Sequence, residues 1–257
     1  RPRVTYDGLG EISDVCIKRK IRNRLLERGE NIFVQSDDYR VDDYRSLRNR
    51  AEGELTKDQL KDGEKLRKAA CEKWYDVRAF GQVFAFTGGS RKGDGLSLGI
   101  RGPVSVHPAF TVMPITTSSI QITKSVSGEG DGTKRASDTM GMKHRVDHGV
   151  YVFFGSVNPQ LAQGTGFTRE DAESLKYALI HLFDNDASSA RPEGSMEVYK
   201  VVWWEHSNPS GQYSSAKVHR TLSVEPKPGI ADPRDIDDYV IDIVELDGLK
   251  PEVIDGN

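Results

Sequence analysis

The chain has 257 residues, 29% of them charged, and a formal net charge of -3 at pH 7, with a mean hydropathy of -0.56. That length admits one large domain or two small ones with a full core. No apolar run approaches the roughly 20 residues that cross a bilayer and no secretory leader pattern opens the chain, which argues for a soluble, cytoplasmic protein and against a membrane partner.

The small net charge hides a polarised distribution. Val15 to Arg28 carries six basic residues and one acid, whereas Glu225 to Asn257 carries three basic residues and ten acids. A basic working face and an acidic tail held elsewhere are expected. Cys16 and Cys71 lie far apart with no Cys-x-x-Cys pair, as for reduced thiols. The chain does not open on Met, and Arg1 is not expected to be the native start.

Residues 1–10 have turn chemistry in Pro2, Asp7-Gly8 and Gly10, and read as loop. Ser13 or Asp14 then caps a helix that reaches about Arg28 and stops at Gly29. Ile17, Ile21 and Leu25 recur at i, i+4 and i+8 and form its buried stripe. Lys18, Lys20, Arg22, Arg24 and Arg28 fall on the flanks and outer face. With so few acids in the helix, ordinary i,i+4 ion pairing is weak, and a polyanion is the better partner for these cations.

From Gln35 to Cys71 acids and bases nearly balance and large apolar side chains are scarce, as in a partly helical surface insertion; Thr56 with Gln59 forms a capping box within it. Arg78 to Ala85 partly echoes an RNA-recognition-motif strand, though Gln82 and Ala85 lack the expected aromatics. Gly88 to Gly95 is a flexible turn, and Leu96 to Ile100 resumes strand character.

Arg101 to Phe154 is strand text interrupted by a Gly-rich basic loop. Arg101–His107, Phe110–Pro114 and Ser118–Thr123 are β-formers, Lys124–Asp138 cannot build a core, and the chain re-enters through Thr139–Arg145 toward Gly149–Gly155, which reads as one buried strand. Two arms around a hydrated tip make a long hairpin that reaches beyond its own domain. Residues 158–166 read as loop. Thr168 with Asp171 is a capping box for a second helix to about Phe183, Met196–Trp204 is a strand, Gly211–Lys217 a surface loop, and Tyr239–Val244 a last strand or amphipathic segment.

The order approximates the β-α-β-β-α-β pattern of a ferredoxin-like α+β fold lacking its first strand, which is expected before Arg1. No phosphate loop of the G-x-x-x-x-G-K-[ST] type and no G-x-S-x-G elbow occurs. His144 and His148 have i,i+4 spacing but sit in strand text, so no metal site is assigned; Asp235, Asp237 and Asp238 lack EF-hand spacing. No catalytic residue and no cofactor is expected. A grip on RNA is expected through Lys18, Arg19, Lys20, Arg22, Arg78, Arg101, Lys124, Lys134, Arg135, Lys143, His144 and Arg145, with Met140 and Met142 as apolar wedges.

Asp14–Asn23, Asp76–Gly81, Gly99–Val104, Ser118–Thr123, Met140–Tyr151 and Ala190–Ser195 together resemble the guide-RNA-binding backbone subunit of type I-C CRISPR surveillance (Cascade) complexes, the Cas7 branch of the repeat-associated RNA-binding superfamily. The resemblance runs from about Val15 to Val224. It implies a single RRM-like palm over 1–257 with a helical fingers insertion at 30–73, a β-hairpin thumb with its strands at 118–155 and an acidic tail at 225–257. It also implies a non-catalytic subunit whose copies stack head to tail along the crRNA, flip out bases with the thumb, meet other Cascade subunits, and present the guide to target DNA. Two other readings stand beside it: an endoribonuclease using His107, His144 or His148, and a structural oligomer docked through the acidic tail.

Overall fold

The structure, a computed structural model, describes residues 1–85, 97–124 and 140–257. It is a mixed helix and strand protein whose chain divides into two compact units. One comprises Arg1–Ser13, Pro108–Phe153 and Leu222–Ile243; the other comprises Asp14–His107, Phe154–Thr221 and Val244–Asn257. Among the described residues no helix is long and apolar enough to cross a membrane.

In the larger unit the basic helix spans Asp14–Glu27. Ile17, Ile21 and Leu25 are buried as the spacing requires, each stabilising the fold by roughly 1.5–3 kcal/mol relative to exposure. Gly29 takes φ +92°, which lets the Gly29 and Glu30 amides bond back to the Leu26 and Leu25 carbonyls at 3.0 and 2.9 Å. That pair of bonds is a Schellman stop, and it ends the helix where expected. The second expected helix runs Arg169–Ile180, with the Thr168–Asp171 capping box formed.

Four expectations in this unit are corrected. The insertion is no surface decoration. Its helices Leu47–Glu54, Lys57–Lys61 and Gly63–Lys73 supply Ala51, Leu55, Leu66, Ala69, Ala70 and Cys71 to a core with Phe33, Trp74, Val77, Phe84 and Ile100. Small residues did the packing that a search for large ones overlooked. Second, Tyr75–Phe80 is a helix, broken by Gly81 at φ +78°, so the Arg78–Ala85 echo is not carried on one strand. A strand, Gly81–Ala85, begins only after that break and pairs with Ser97–Arg101.

Third, residues 158–166 hold a helix, Pro159–Thr165, because Asn158 accepts the Gln160 and Leu161 amides and Pro159 occupies the first turn. Fourth, Ser215–His219 is also helical, capped by the Ser214 hydroxyl. The remaining strands pair Val104–Val106 with Gly155–Val157, and Lys200–Trp204 with Pro251–Asp255.

The smaller unit is built on an antiparallel sheet of Arg3–Val4, Leu9–Ile12, Ala109–Pro114 and Tyr151–Val152, in that order. Strands therefore precede the basic helix within residues 1–13, which corrects the loop reading of residues 1–10. The turn chemistry was real but belongs to the tight reversal at Thr5–Gly8, where the Gly8 amide donates to the Thr5 carbonyl at 3.1 Å. Gly149–Gly155 is likewise not one buried strand: Tyr151–Val152 stays in this sheet, half-buried, and Gly155 begins a strand of the other unit.

The Ala109–Pro114 strand leads into Thr117–Thr123, which pairs in register with Met140–Val146, from Thr117 opposite Val146 to Thr123 opposite Met140. These are the two arms expected around the basic tip. The tip itself, residues 125–139, lies outside the described residues, as does Gly88–Gly95. Leu222–Pro226 and Tyr239–Ile243 pair as antiparallel strands, which makes Tyr239–Ile243 a strand, the first of its two expected readings.

Candidate nucleic-acid interface

The expected RNA contacts fall into two sets, one in each unit. Lys18, Arg19, Lys20, Arg22, Arg78 and Arg101 belong to the larger unit; Lys124, Met140, Met142, Lys143, His144 and Arg145 belong to the smaller. Lys134 and Arg135 lie outside the described residues.

Much of the charge on the basic helix is engaged inside the fold, by acids distant in sequence. Lys20 is 4% exposed and paired with Asp186, its ammonium 5.2 Å from the centre of the Phe183 ring. Arg22 donates from Nε to Asp76 Oδ2 at 2.8 Å and lies over Phe80. Arg19 donates to the Val34 carbonyl at 2.6 Å, and burial with the neighbouring Arg22 lowers its pKa while Asp76 opposes the shift. Lys18 is half-buried and held at 3.1 Å by Asp14.

Arg24 is also buried, bonded to Glu27 at 2.6 Å. The expectation that Lys20 and Arg24 face outward is therefore corrected: the buried stripe is wider than three residues, and Asp186 and Asp76 supply the acids missing from the helix. Arg78 makes a two-pronged pair with Asp171 at 2.9 and 2.7 Å and approaches Glu30 at 3.7 Å. Burial disfavours its charge, but bonding to Asp171 outweighs this and the pKa rises. Arg101 is exposed at the end of its strand.

None of Asp76, Asp171 and Asp186 was expected as an ion-pair partner, and Asp171 was expected only as a helix cap. The signal was present for the first of them: an acid inside Trp74-Tyr75-Asp76-Val77, an otherwise apolar run, is one that the fold must satisfy internally.

The hairpin differs in kind, because most of the side chains expected to meet RNA are exposed there, with His144 half-buried. Met140 and Met142 are 62% and 55% exposed, and Lys124, Lys143 and Arg145 are exposed as well. In an antiparallel pair, opposed residues project to one face and successive residues alternate. The register therefore places Met140, Met142 and His144 on one face with Thr123, Gln121 and Ser119, and Lys143 and Arg145 on the other with Ile120 and Ser118. The two methionines and the two cations are thus back to back.

On the first face His144 Nδ1 shares a hydrogen with the Ser119 hydroxyl at 2.7 Å. On the second, Asp147 takes hydrogen bonds from Ser118 at 2.7 Å and Arg145 at 3.0 Å, which together hold its carboxyl below the usual range. An exposed pair of this type, screened by water and salt, contributes little to stability. A phosphate can replace Asp147 at Arg145 with little loss.

Among the described residues no group of three or more His, Cys, Asp or Glu is placed to hold a metal ion. His144 is on a strand, and His148 instead faces Tyr239, whose hydroxyl lies 3.3 Å from its Nε2. Cys71 is buried, which pushes its thiol up to about 11 and leaves it inert at neutral pH.

A family model described as CRISPR-associated protein Cas7 matches residues 1–244. The chain belongs to the Cas7 family. A CRISPR-associated protein Cas7 from Haloferax volcanii is 25% identical over 96% of this chain and 74% of its own length. A solved chain from a CRISPR RNA-guided surveillance complex, pre-nicking, is 14% identical, covering 74% of this chain and 69% of that one with a TM-score of 0.40.

Proposed function

We propose that the chain is a non-catalytic, crRNA-binding backbone subunit of a type I-C surveillance complex in the cytoplasm. Membership of the Cas7 family carries this reading, and the exposed hairpin gives it a physical agent. In it an RRM-like palm bears a fingers insertion at 30–73, a thumb at 118–155 and an acidic tail at 225–257. Copies stack head to tail along the guide, other subunits of the complex close its ends, and the guide is offered to target DNA.

Cations that meet only phosphate confer affinity without reading bases, which suits a subunit that must accept any guide. Lys143 and Arg145 are disposed for such contact, with Lys124, Arg101, Lys134 and Arg135 as further candidates. Lys18, Arg19, Lys20, Arg22 and Arg78 act in this reading by setting the position of the basic helix, adding to contact where their charge remains accessible. Met140 and Met142, back to back with the cations, insert beside a base and kink the strand whatever its identity. Purification from cells that supply a guide tests the reading: a large particle with RNA of uniform length is expected, and an RNA-free protein overturns it.

A further inference from the structure

The four-stranded sheet of the smaller unit carries one row of side chains that is more exposed than its neighbours. Register sets Arg3, Glu11, Phe110 and Val152 side by side in one row across its strands. Their neighbours on the opposite face, Ala109 and Thr111, are 1% and 3% exposed, whereas Phe110 is 39% exposed and the Arg3 side chain 66%. Among the described residues no ring or cation packs against Phe110. An aromatic so placed, in the second of two central strands and flanked by Val152, is a flat apolar platform without a lid.

We infer that Phe110 stacks one unpaired base of a bound RNA strand, with Arg3 holding the adjoining phosphate. This rests on the reading of the chain as an RNA-binding subunit and adds a base contact that the hairpin does not provide. Three observations favour a nucleotide as the occupant. First, the platform is continuous with the hairpin: Ala109–Pro114 runs into one arm and Tyr151–Val152 follows the other, so Phe110 lies at the root of the proposed grip.

Second, Arg3 stands two strands from Phe110, about 10 Å across the sheet, a span that its long side chain shortens to that between a base and its own phosphate. Third, among the described residues the one ion pair of Arg3 is a long 3.6 Å approach to Glu11, with the Arg3 side chain itself 66% exposed, and a phosphate displaces so loose a partner readily. Stacking on a ring accepts every base, in keeping with a guide of arbitrary sequence.

The test is binding of a single-stranded RNA to the full chain across a range of salt, with ultraviolet cross-linking and peptide mapping. Phe110→Ala and Phe110→Leu should each weaken binding about tenfold without changing the salt slope, and Phe110→Trp should restore it. Arg3→Ala should lower the slope by about 0.7. The cross-link should map to the Ala109–Pro114 strand. Phe110→Leu binding as tightly as the unaltered chain, with the cross-link elsewhere, overturns the inference and leaves the RNA-binding reading standing. Failure of the unaltered chain to bind RNA at all overturns both.

Discussion

Arg22 donates from Nε to Asp76 Oδ2 at 2.8 Å, and the same carboxylate, 1% exposed, also accepts the Phe33 and Val34 amides at 2.7 and 3.0 Å. One acid thus ties the basic helix to the start of the insertion and to the Tyr75–Phe80 helix. Removing one partner of such a buried pair costs about 3–5 kcal/mol, because the other charge is left without water or counterion. Asp76→Ala should lower the midpoint of thermal unfolding steeply, by a loss of about that size. A variant as stable as the parent would show that the carboxylate is not the tie.

Arg22→Ala also unlatches the fold, so loss of RNA binding in that variant cannot be read as loss of a phosphate contact. Lys143→Ala changes an exposed cation and should leave stability within about 0.5 kcal/mol. It should nevertheless weaken RNA binding and lower the salt slope by about 0.7. Equal slopes for parent and variant would remove Lys143 from the phosphate contacts.

The two faces of the hairpin should separate experimentally. Met142→Ser removes a wedge and leaves every cation in place, so the salt slope should stay unchanged while a fluorescent base analogue along the guide loses its unstacked signal at the kinked positions. Lys143→Ala should do the reverse. Identical effects from both substitutions would contradict the division of the hairpin into a wedge face and a phosphate face.

His219 carries a pH dependence that can be measured without RNA. Its ring stacks on Phe154 at 4.6 Å and meets the edge of His107 at 5.6 Å. Burial lowers its pKa, the Gly155 carbonyl pulls the other way, and His107 adds to the lowering. A histidine whose folded pKa is depressed contributes stability above its unfolded value near 6.5, and that contribution is lost as the pH falls through the folded value. Acidification below about pH 6.5 should therefore loosen the Ser215–His219 helix, seen as smaller amide protection factors there after the intrinsic pH dependence of exchange is divided out, and His219→Phe should abolish the effect. Protection factors that do not vary with pH in the parent would contradict it.

Much of this molecule is legible in its sequence. The basic helix, its Gly29 stop, both capping boxes and the long hairpin arms came from local signals: a 3.6-residue period, a side chain that can cap, and β-branched residues in alternation. Local signals failed where distant residues decide. Nothing near Lys20 announces Asp186, 166 positions away, so the helix looked free although Lys18, Lys20, Arg22 and Arg24 each have an acid partner. The insertion looked solvated because Ala51, Ala69 and Ala70 pack by being small.

Leu9–Ile12 is too short and Gly-rich to read as a strand alone, and it becomes one by pairing with Ala109–Pro114. The split of Gly149–Gly155 between two units has no mark in its apolar composition. The division of the hairpin into two faces could have been read from alternation alone, once the register was known.

The central claim, a grip on the sugar-phosphate chain of RNA that ignores base sequence, is tested most directly by measuring affinity across salt for two single-stranded RNAs of equal length and unrelated sequence. The account predicts equal affinities at each salt concentration and a common steep slope of log affinity on log salt. A preference of tenfold or more for one sequence, or affinity that salt leaves unchanged, would contradict it.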